Sequence, residues 1–307
     1  MPNPLKPNSN IALVAPAGRI FRHELDFALN WIEQNKWQAV YSDELFREHN
    51  FGYFYAGHDE HRLKLVQEAL NNPEIDAIWF ARGGYGSVRL IDQLDFSQFQ
   101  KKPKWLIGYS DITVFHNYLN NLNIPTLHGV TAKKLDIDYT EETYRSLKKV
   151  LMGEELSYSL PFSELDCIGE AKGKLVGGNL SMIYSQLGSK SMLNGGSLVL
   201  FLEDWQENWY HLDRMMMGLR RSGLFSRVKG VIVGSFTKMD TREENPFFDA
   251  EFDTISNQII ASFVENLGIP VKFNFPAGHI GDNRALIMGE NVKFEVNQDF
   301  ASLEWLT

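Results

Sequence analysis

Gly108-Tyr109-Ser110-Asp111 is where this chain first suggests chemistry. It ends the apolar run Trp105-Leu106-Ile107 and leads into Ile112 to Leu119, which has helical spacing. A serine on so tight a strand-to-helix turn is pushed out at the C-terminal edge of a sheet, and the helix behind it offers backbone N–H groups to a developing oxyanion. The pattern is not Gly-x-Ser-x-Gly, because Ile112 follows Asp111. A plainer reading stands beside it, in which Ser110 or Asp111 only caps the helix. Leu200-Phe201-Leu202-Glu203-Asp204 sets two carboxylates just past an apolar strand, and Pro276-Ala277-Gly278-His279 sets a histidine in a loop of small residues. Ser110, Glu203 and His279 thus follow the nucleophile, carboxylate, base order of α/β-hydrolases. Taken singly, strand-end acids and a loop histidine are ordinary solvated groups.

Arg82-Gly83-Gly84-Tyr85-Gly86 follows a second apolar run, Ala77 to Ala81. Its glycines permit positive φ and a close approach of backbone to ligand. Such a loop can cradle a phosphate, complete an oxyanion hole, or simply turn. It lacks Gly-x-Gly-x-x-Gly spacing and no Lys-Ser/Thr follows, so a non-catalytic nucleotide-binding α/β protein is the alternative from another class. No metal or cofactor is expected. His58 and His61 share a helical face, but no Glu-x-x-His pair accompanies them and Asp59 between them suits an N-cap. Met215-Met216-Met217 reads as packing. Cys167, the one cysteine, excludes an internal disulfide and any Cys-based zinc site, and with only Lys172 as a basic neighbour it is no catalytic thiolate.

These groups need a scaffold, and its outline is readable. Ile11 to Ala15, Ala77 to Ala81 and Trp105 to Gly108 are continuous apolar runs suited to strands buried on both faces. Helical spacing follows each, as in Leu25, Ala28, Leu29 and Ile32, or in Leu63, Val66 and Leu70 before the break at Asn72-Pro73. Alternation of this kind predicts a parallel sheet with helices on both faces. The pattern changes after Leu151-Met152-Gly153. We therefore expect an α/β domain over 1–153, a connector over 154–170 and a β-rich domain over 171–307. The second half holds strands at Ser197 to Leu202 and Val228 to Val233, a helix around Leu212 to Leu219, and an antiparallel end formed by Leu286 to Met288, Val292 to Val296 and Ser302 to Trp305. With 307 residues, 44% of them hydrophobic, the chain needs no covalent staple. Its formal charge of −9 argues against a nucleic-acid partner. No run approaches roughly 18 apolar residues, and Met1 to Asn10 holds no signal-like apolar stretch, so no membrane association and a cytoplasmic setting are expected.

Five ordered motifs give the chain a family likeness: Ala81 to Gly86, Gly108 to Asp111, Lys174-Leu175-Val176-Gly177-Gly178-Asn179-Leu180, Leu202-Glu203-Asp204 and Gly278-His279. With Asp213-Arg214 after the glutamate, this order resembles that of the LD-carboxypeptidases, serine peptidases that trim murein tetrapeptides and include the microcin C immunity peptidases. The resemblance implies a flavodoxin-like or Rossmann-like N-terminal domain, a β-rich C-terminal domain and a homodimer. It implies Ser110 as nucleophile, His279 as general base and Glu203 as its orienting carboxylate, with the N–H groups of Gly84 and Asp111 as oxyanion hole. Gly178 and Asn179 would line the cleft, and Arg82 or Arg284 would meet the carboxylate of a peptide ending in a D-amino acid. In the immunity branch, which acts on aminoacyl- or peptidyl-adenylates, a tryptophan platform resembles part of the segment after Gly-Gly-Asn. Here Leu180 to Gly196 holds only Tyr184 as a ring, which favours murein tetrapeptide, although Trp205 and Trp209 lie just beyond Glu203.

Overall fold

The structure is a computed structural model that describes residues 1–133, 138–240 and 245–306. Its strands are β1 (Asn10–Val14), β2 (Gln38–Val40), β3 (His49–Asn50), β4 (Phe54–Tyr55), β5 (Ala77–Phe80), β6 (Trp105–Gly108), β7 (Thr126–His128), β8 (Ser157–Pro161), β9 (Gly169–Asn179), β10 (Leu198–Trp205), β11 (Val228–Thr237), β12 (Val271–Lys272), β13 (Leu286–Met288), β14 (Asn291–Val296) and β15 (Phe300–Trp305). The helices are α1 (Asp26–Gln34), α2 (Asp59–Asn71), α3 (Ser97–Lys101), α4 (Thr113–Asn121), α5 (Glu141–Leu151), α6 (Leu180–Ser185), α7 (Trp209–Arg221) and α8 (Thr254–Val264).

One sheet has the order β13-β7-β6-β5-β1-β2, and a second has β12-β11-β10-β9-β14-β15-β8. In the first, β2, β1, β5, β6 and β7 are all parallel, as the alternating pattern predicts. In the second, β9 to β12 are parallel, while β14, β15 and β8 continue antiparallel. The chain is thus a mixed α/β protein with a parallel N-terminal sheet and a separate strand-rich sheet after it.

Three expectations need adjusting. Leu286 to Met288 does form a strand, but it leaves its neighbours and pairs antiparallel with β7 of the first sheet, Leu286 opposite His128. Its three side chains are all buried, and such a two-sided apolar strand needs the cover that the open edge of β7 supplies. The stretch 154–170 carries β8, and β9 runs through its end. Finally, the N-cap position of α2 is His58 rather than Asp59, with no side-chain capping bond, and Asp59 instead pairs with Arg62 and Arg89.

Strand alternation explains how the two sheets share a core. Trp79 on β5 and Val199 and Phe201 on β10 enter one apolar cluster that also holds Phe275, Leu286 and Phe294. Ile78 and Phe80 face the opposite side of the first sheet, with Leu106 and Phe115. Leu198, Leu200 and Leu202 face α7 and α8 through Met215, Met216 and Ile260. Successive side chains on a strand point to opposite faces. The alternation carries Glu203 onto the Val199–Phe201 face, toward the first half of the chain, and Asp204 onto the other.

The halves also meet at the start of α4, where Thr113 Oγ1 accepts the N–H of Asn179 at 2.9 Å. Gly178 makes this approach possible, with φ +129°, and a Cβ there would lie 2.5 Å from Thr113 Oγ1. Gly178→Ala is expected to lower the stability of the whole chain by roughly 2–4 kcal/mol, from overpacking plus backbone strain. Urea unfolding checks this, and an unchanged midpoint would show that the seam relaxes freely.

Candidate functional site

The turn that carries Ser110 has the strand-to-helix geometry that its sequence context suggests. Ser110 adopts φ +62°, in the left-handed region that non-glycine residues rarely enter, at the end of β6. A one-residue elbow of this kind stores strain and holds the side chain proud of the sheet. Neighbours over-determine it. His116, fully buried on α4, bonds through Nε2 to the Gly108 carbonyl at 2.9 Å and through Nδ1 to Thr126 Oγ1 at 2.8 Å. Since a carbonyl only accepts, Nε2 carries the proton, and Nδ1 accepts from the threonine. Burial lowers the His116 pKa to about 4, so the ring stays neutral.

Asp111 serves this turn with its side chain as well as its place in the chain. Its carboxylate is buried and accepts from Ser87 N–H at 2.9 Å and from Gly86 N–H at 3.3 Å, tying the glycine loop to the elbow. Burial raises its pKa to about 6 despite these bonds. Under the loop lies Arg62, also buried, donating to the carbonyls of Pro16, Gly57 and Gly86. The result is close contact: a Cβ at Gly83 would come 3.2 Å from Ser110 Cβ and 3.4 Å from Oγ.

The carboxylate and histidine come from the second sheet and the loop after β12. Glu203 has no exposed surface, and its Oε2 lies 2.7 Å from His279 Nδ1. With Nδ1–H donating, Nε2 keeps the lone pair that a general base needs. The His279 N–H donates to Ser235 Oγ at 2.9 Å, and the Gly278 N–H to Asn283 Oδ1 at 3.0 Å. Gly278 has φ +122°, and a Cβ there would strike Ser235 Oγ and sit 3.0 Å from Glu203 Cβ. Only glycine lets this loop press its histidine against β10.

Ser110 and His279 line one cleft of about 780 Å³, together with Arg82, Gly83, Gly84 and Asn179. The arrangement can activate a hydroxyl beside backbone N–H groups at the mouth of a helix. Arg82 donates to the Arg19 carbonyl at 2.6 Å and makes no ion pair among the described residues. Arg284 is different: it is held by Asp282 and is absent from the cleft wall. Gly178 is likewise off the wall, turned to Thr113. Asn179 is on it, but its side chain is engaged, donating to Asp204 Oδ1 at 2.8 Å and capping α6. Asp204 also accepts from Ser181, and burial together with neighbouring Glu203 raises its pKa to about 7.

Trp205 lines the cleft with its indole stacked on His279, whereas Trp209 lies off the wall and donates to Asp253 at 3.0 Å. The other sequence features take structural places. Met215 and Met216 are buried, and no group able to hold a metal occurs among the described residues, His58 and His61 included. Burial and the nearby acids Asp166 and Glu265 raise the Cys167 pKa. No helix among the described residues is long and apolar enough to cross a membrane. Sequence reading missed the Asp111 side chain, His116 and Arg62, whose partners are remote in sequence; the one local signal was a charged or polar residue on an otherwise apolar helix face.

The chain is similar to known proteins along most of its length. Residues 11–129 match the LD-carboxypeptidase N-terminal domain and residues 172–294 its C-terminal domain. The probable murein peptide carboxypeptidase of Bacillus subtilis is 30% identical over 308 residues, covering 99% of this chain and 94% of that protein. The murein tetrapeptide carboxypeptidase of Pseudomonas aeruginosa is 29% identical over 303 residues, covering 95% and 94%. Among solved structures, muramoyltetrapeptide carboxypeptidase from Oxalobacter formigenes superposes with TM-score 0.84 at 25% identity, over 97% of this chain and 99% of that one. The microcin C7 self immunity protein MccF in complex with aspartyl sulfamoyl adenosine shares the fold, with TM-score 0.82 at 18% identity over 99% and 98%.

The buried His116 generates a pH prediction. Its folded pKa of about 4 lies below the ordinary histidine value of 6.5, so its contribution to stability is full above pH 6.5 and is lost as pH falls toward 4. Relative to His116→Gln, the parent should lose roughly 3 kcal/mol more between pH 7 and pH 4. Denaturant unfolding at the two pH values measures this difference, and parallel losses would contradict it.

Proposed function

The chain belongs to the LD-carboxypeptidase family and is a peptidase, and from that premise we propose that it uses a serine mechanism to release terminal D-Ala from murein tetrapeptide. The observation that carries this reading is the 2.7 Å bond between His279 Nδ1 and buried Glu203, in the cleft that Ser110 also lines. His279 Nε2 takes the Ser110 proton as Oγ attacks the carbonyl between the L-centre of the diamino acid and D-Ala. The N–H groups of Gly84 and Asp111 receive the oxyanion. The imidazolium then protonates the departing amine, and water repeats the sequence on the acyl-enzyme to regenerate Ser110. Glu203 holds the ring tautomer and stabilises its charge. Arg82, which lines the cleft and makes no close ion pair among the described residues, is the group we assign to the D-Ala carboxylate.

In this reading the half ending near residue 153 supplies the nucleophile and the remainder supplies the base and its orienting carboxylate. The enzyme works in the cytoplasm, in cell-wall recycling, as a homodimer. Cleavage of an acyl-adenylate, the alternative within the family, requires an aromatic platform for the purine. Trp205 is the natural candidate, and its stacking on His279 favours the tetrapeptide.

Ser110→Ala should lower kcat by about 10⁶ and Glu203→Gln by about 10⁴ with the fold intact. Substantial turnover by folded Ser110→Ala protein would remove the serine mechanism. Incubation with murein tetrapeptide and with an acyl-sulfamoyl adenylate, followed by mass spectrometry of both products, should show free D-Ala and a higher kcat/KM for the tetrapeptide. A clear preference for the adenylate would reverse the substrate assignment.

A further inference from the structure

Beside Glu203, two aromatic rings hold His279. The Trp205 indole lies nearly parallel to the imidazole, 11° between planes and 5.6 Å between centroids. Tyr109, next to the nucleophile, approaches at 4.8 Å and 50°. The His279 side chain retains only 9% exposure, whereas Trp205 is 44% exposed on the cleft wall. An indole left this open in a cleft forgoes much of the burial that usually places tryptophan. The end of β10 is irregular at this residue: the ladder to β11 slips between Leu202 and Asp204, the Trp205 N–H bonds back to Asp204 Oδ1 at 2.9 Å, and Gln206 turns with φ +61°.

We propose that Trp205 is a positioning residue for the general base: its indole face keeps the His279 ring in the plane that joins Glu203 to Ser110, and it stabilises the imidazolium formed when the serine proton is taken. This rests on the serine mechanism proposed above. A cation over an indole face is favoured, most strongly where water is scarce. The parallel indole limits tilting of the imidazole out of its plane, and the bond to Glu203 limits its rotation within that plane. The titratable groups facing His279 are Glu203 from β10, Tyr109 from the nucleophile turn and His128 from β7. Burial keeps Tyr109 protonated and His128 neutral across the working range, so neither titrates with the base.

The test compares Trp205→Leu and Trp205→Phe with the parent by kinetics, and repeats the pair in a Ser110→Ala background by NMR. Trp205→Leu should lower kcat about tenfold or more with KM changed less than twofold, and the acidic limb of kcat/KM should move down by about half a pH unit as imidazolium loses its aromatic neighbour. Trp205→Phe should restore most of kcat and the position of the limb. In the Ser110→Ala background, the His279 ring-proton signal, assigned among eight histidines by loss in His279→Asn, should lose its ring-current shift and titrate lower in the Leu variant. An unmoved titration, or a rise in KM alone, would make Trp205 a substrate wall and overturn the proposal. If Trp205→Leu does not fold, a kcat of Trp205→Phe below a tenth of the parent would do the same. Activity that survives Ser110→Ala would remove the serine mechanism while leaving the NMR result to judge the stacking by itself.

Discussion

Glu203 is wholly buried, and removing a carboxylate from water costs several kcal/mol unless hydrogen bonds replace those it loses. Its Oε1 finds no partner among the described residues, so the His279 N–H on Oε2 is the bond that offsets this cost. The dependence runs both ways. The carboxylate must stay dry to act strongly on the ring, and the ring must stay in place for the carboxylate to be tolerated there. Ser235 anchors the histidine backbone, Asn283 anchors Gly278, and the missing Cβ of Gly278 allows the loop to close on β10.

The serine is held by the other sheet, and its constraint is conformational. The left-handed backbone at Ser110 persists because the Gly108 carbonyl is held by His116 and because Asp111 is held to the glycine loop. Strain at one residue is sustained by bonds at its neighbours. The two constraints meet through the shared apolar core and through the Thr113–Asn179 bond, so the relation of serine to histidine depends on packing between elements that lie far apart in the chain. Exchange of β13 into the first sheet ties the two halves of the chain together in the same way.

Much of this was legible in residue order. Continuous apolar runs mark β1, β5 and β6, and the turns that follow them carry Ser110 and the glycine loop. Alternation along β10 even separates Glu203 from Asp204, which bond to opposite sides of the strand. The short strands β2, β7 and β12 are too brief for a period to show, and their existence is set by the partners beside them. Leu286 to Met288 looked like part of the terminal antiparallel set because apolar content reveals burial without naming the neighbour. Arg62 resembles any charged residue on a helix, and its burial becomes favourable only through Asp59 and three carbonyls that converge from separate loops. The stacking of Trp205 on His279 arises from long-range packing that no local pattern encodes.

The central claim is that Glu203 and His279 activate Ser110 across the two sheets. A fluorophosphonate probe measures this most directly, because it reports on the serine with no assumption about the natural substrate. Peptide mapping by mass spectrometry should find one adduct, on Ser110, formed in the parent far faster than in His279→Ala and more slowly in Glu203→Gln than in the parent. An adduct on a different serine, or equal labelling rates in all three proteins, would contradict the account.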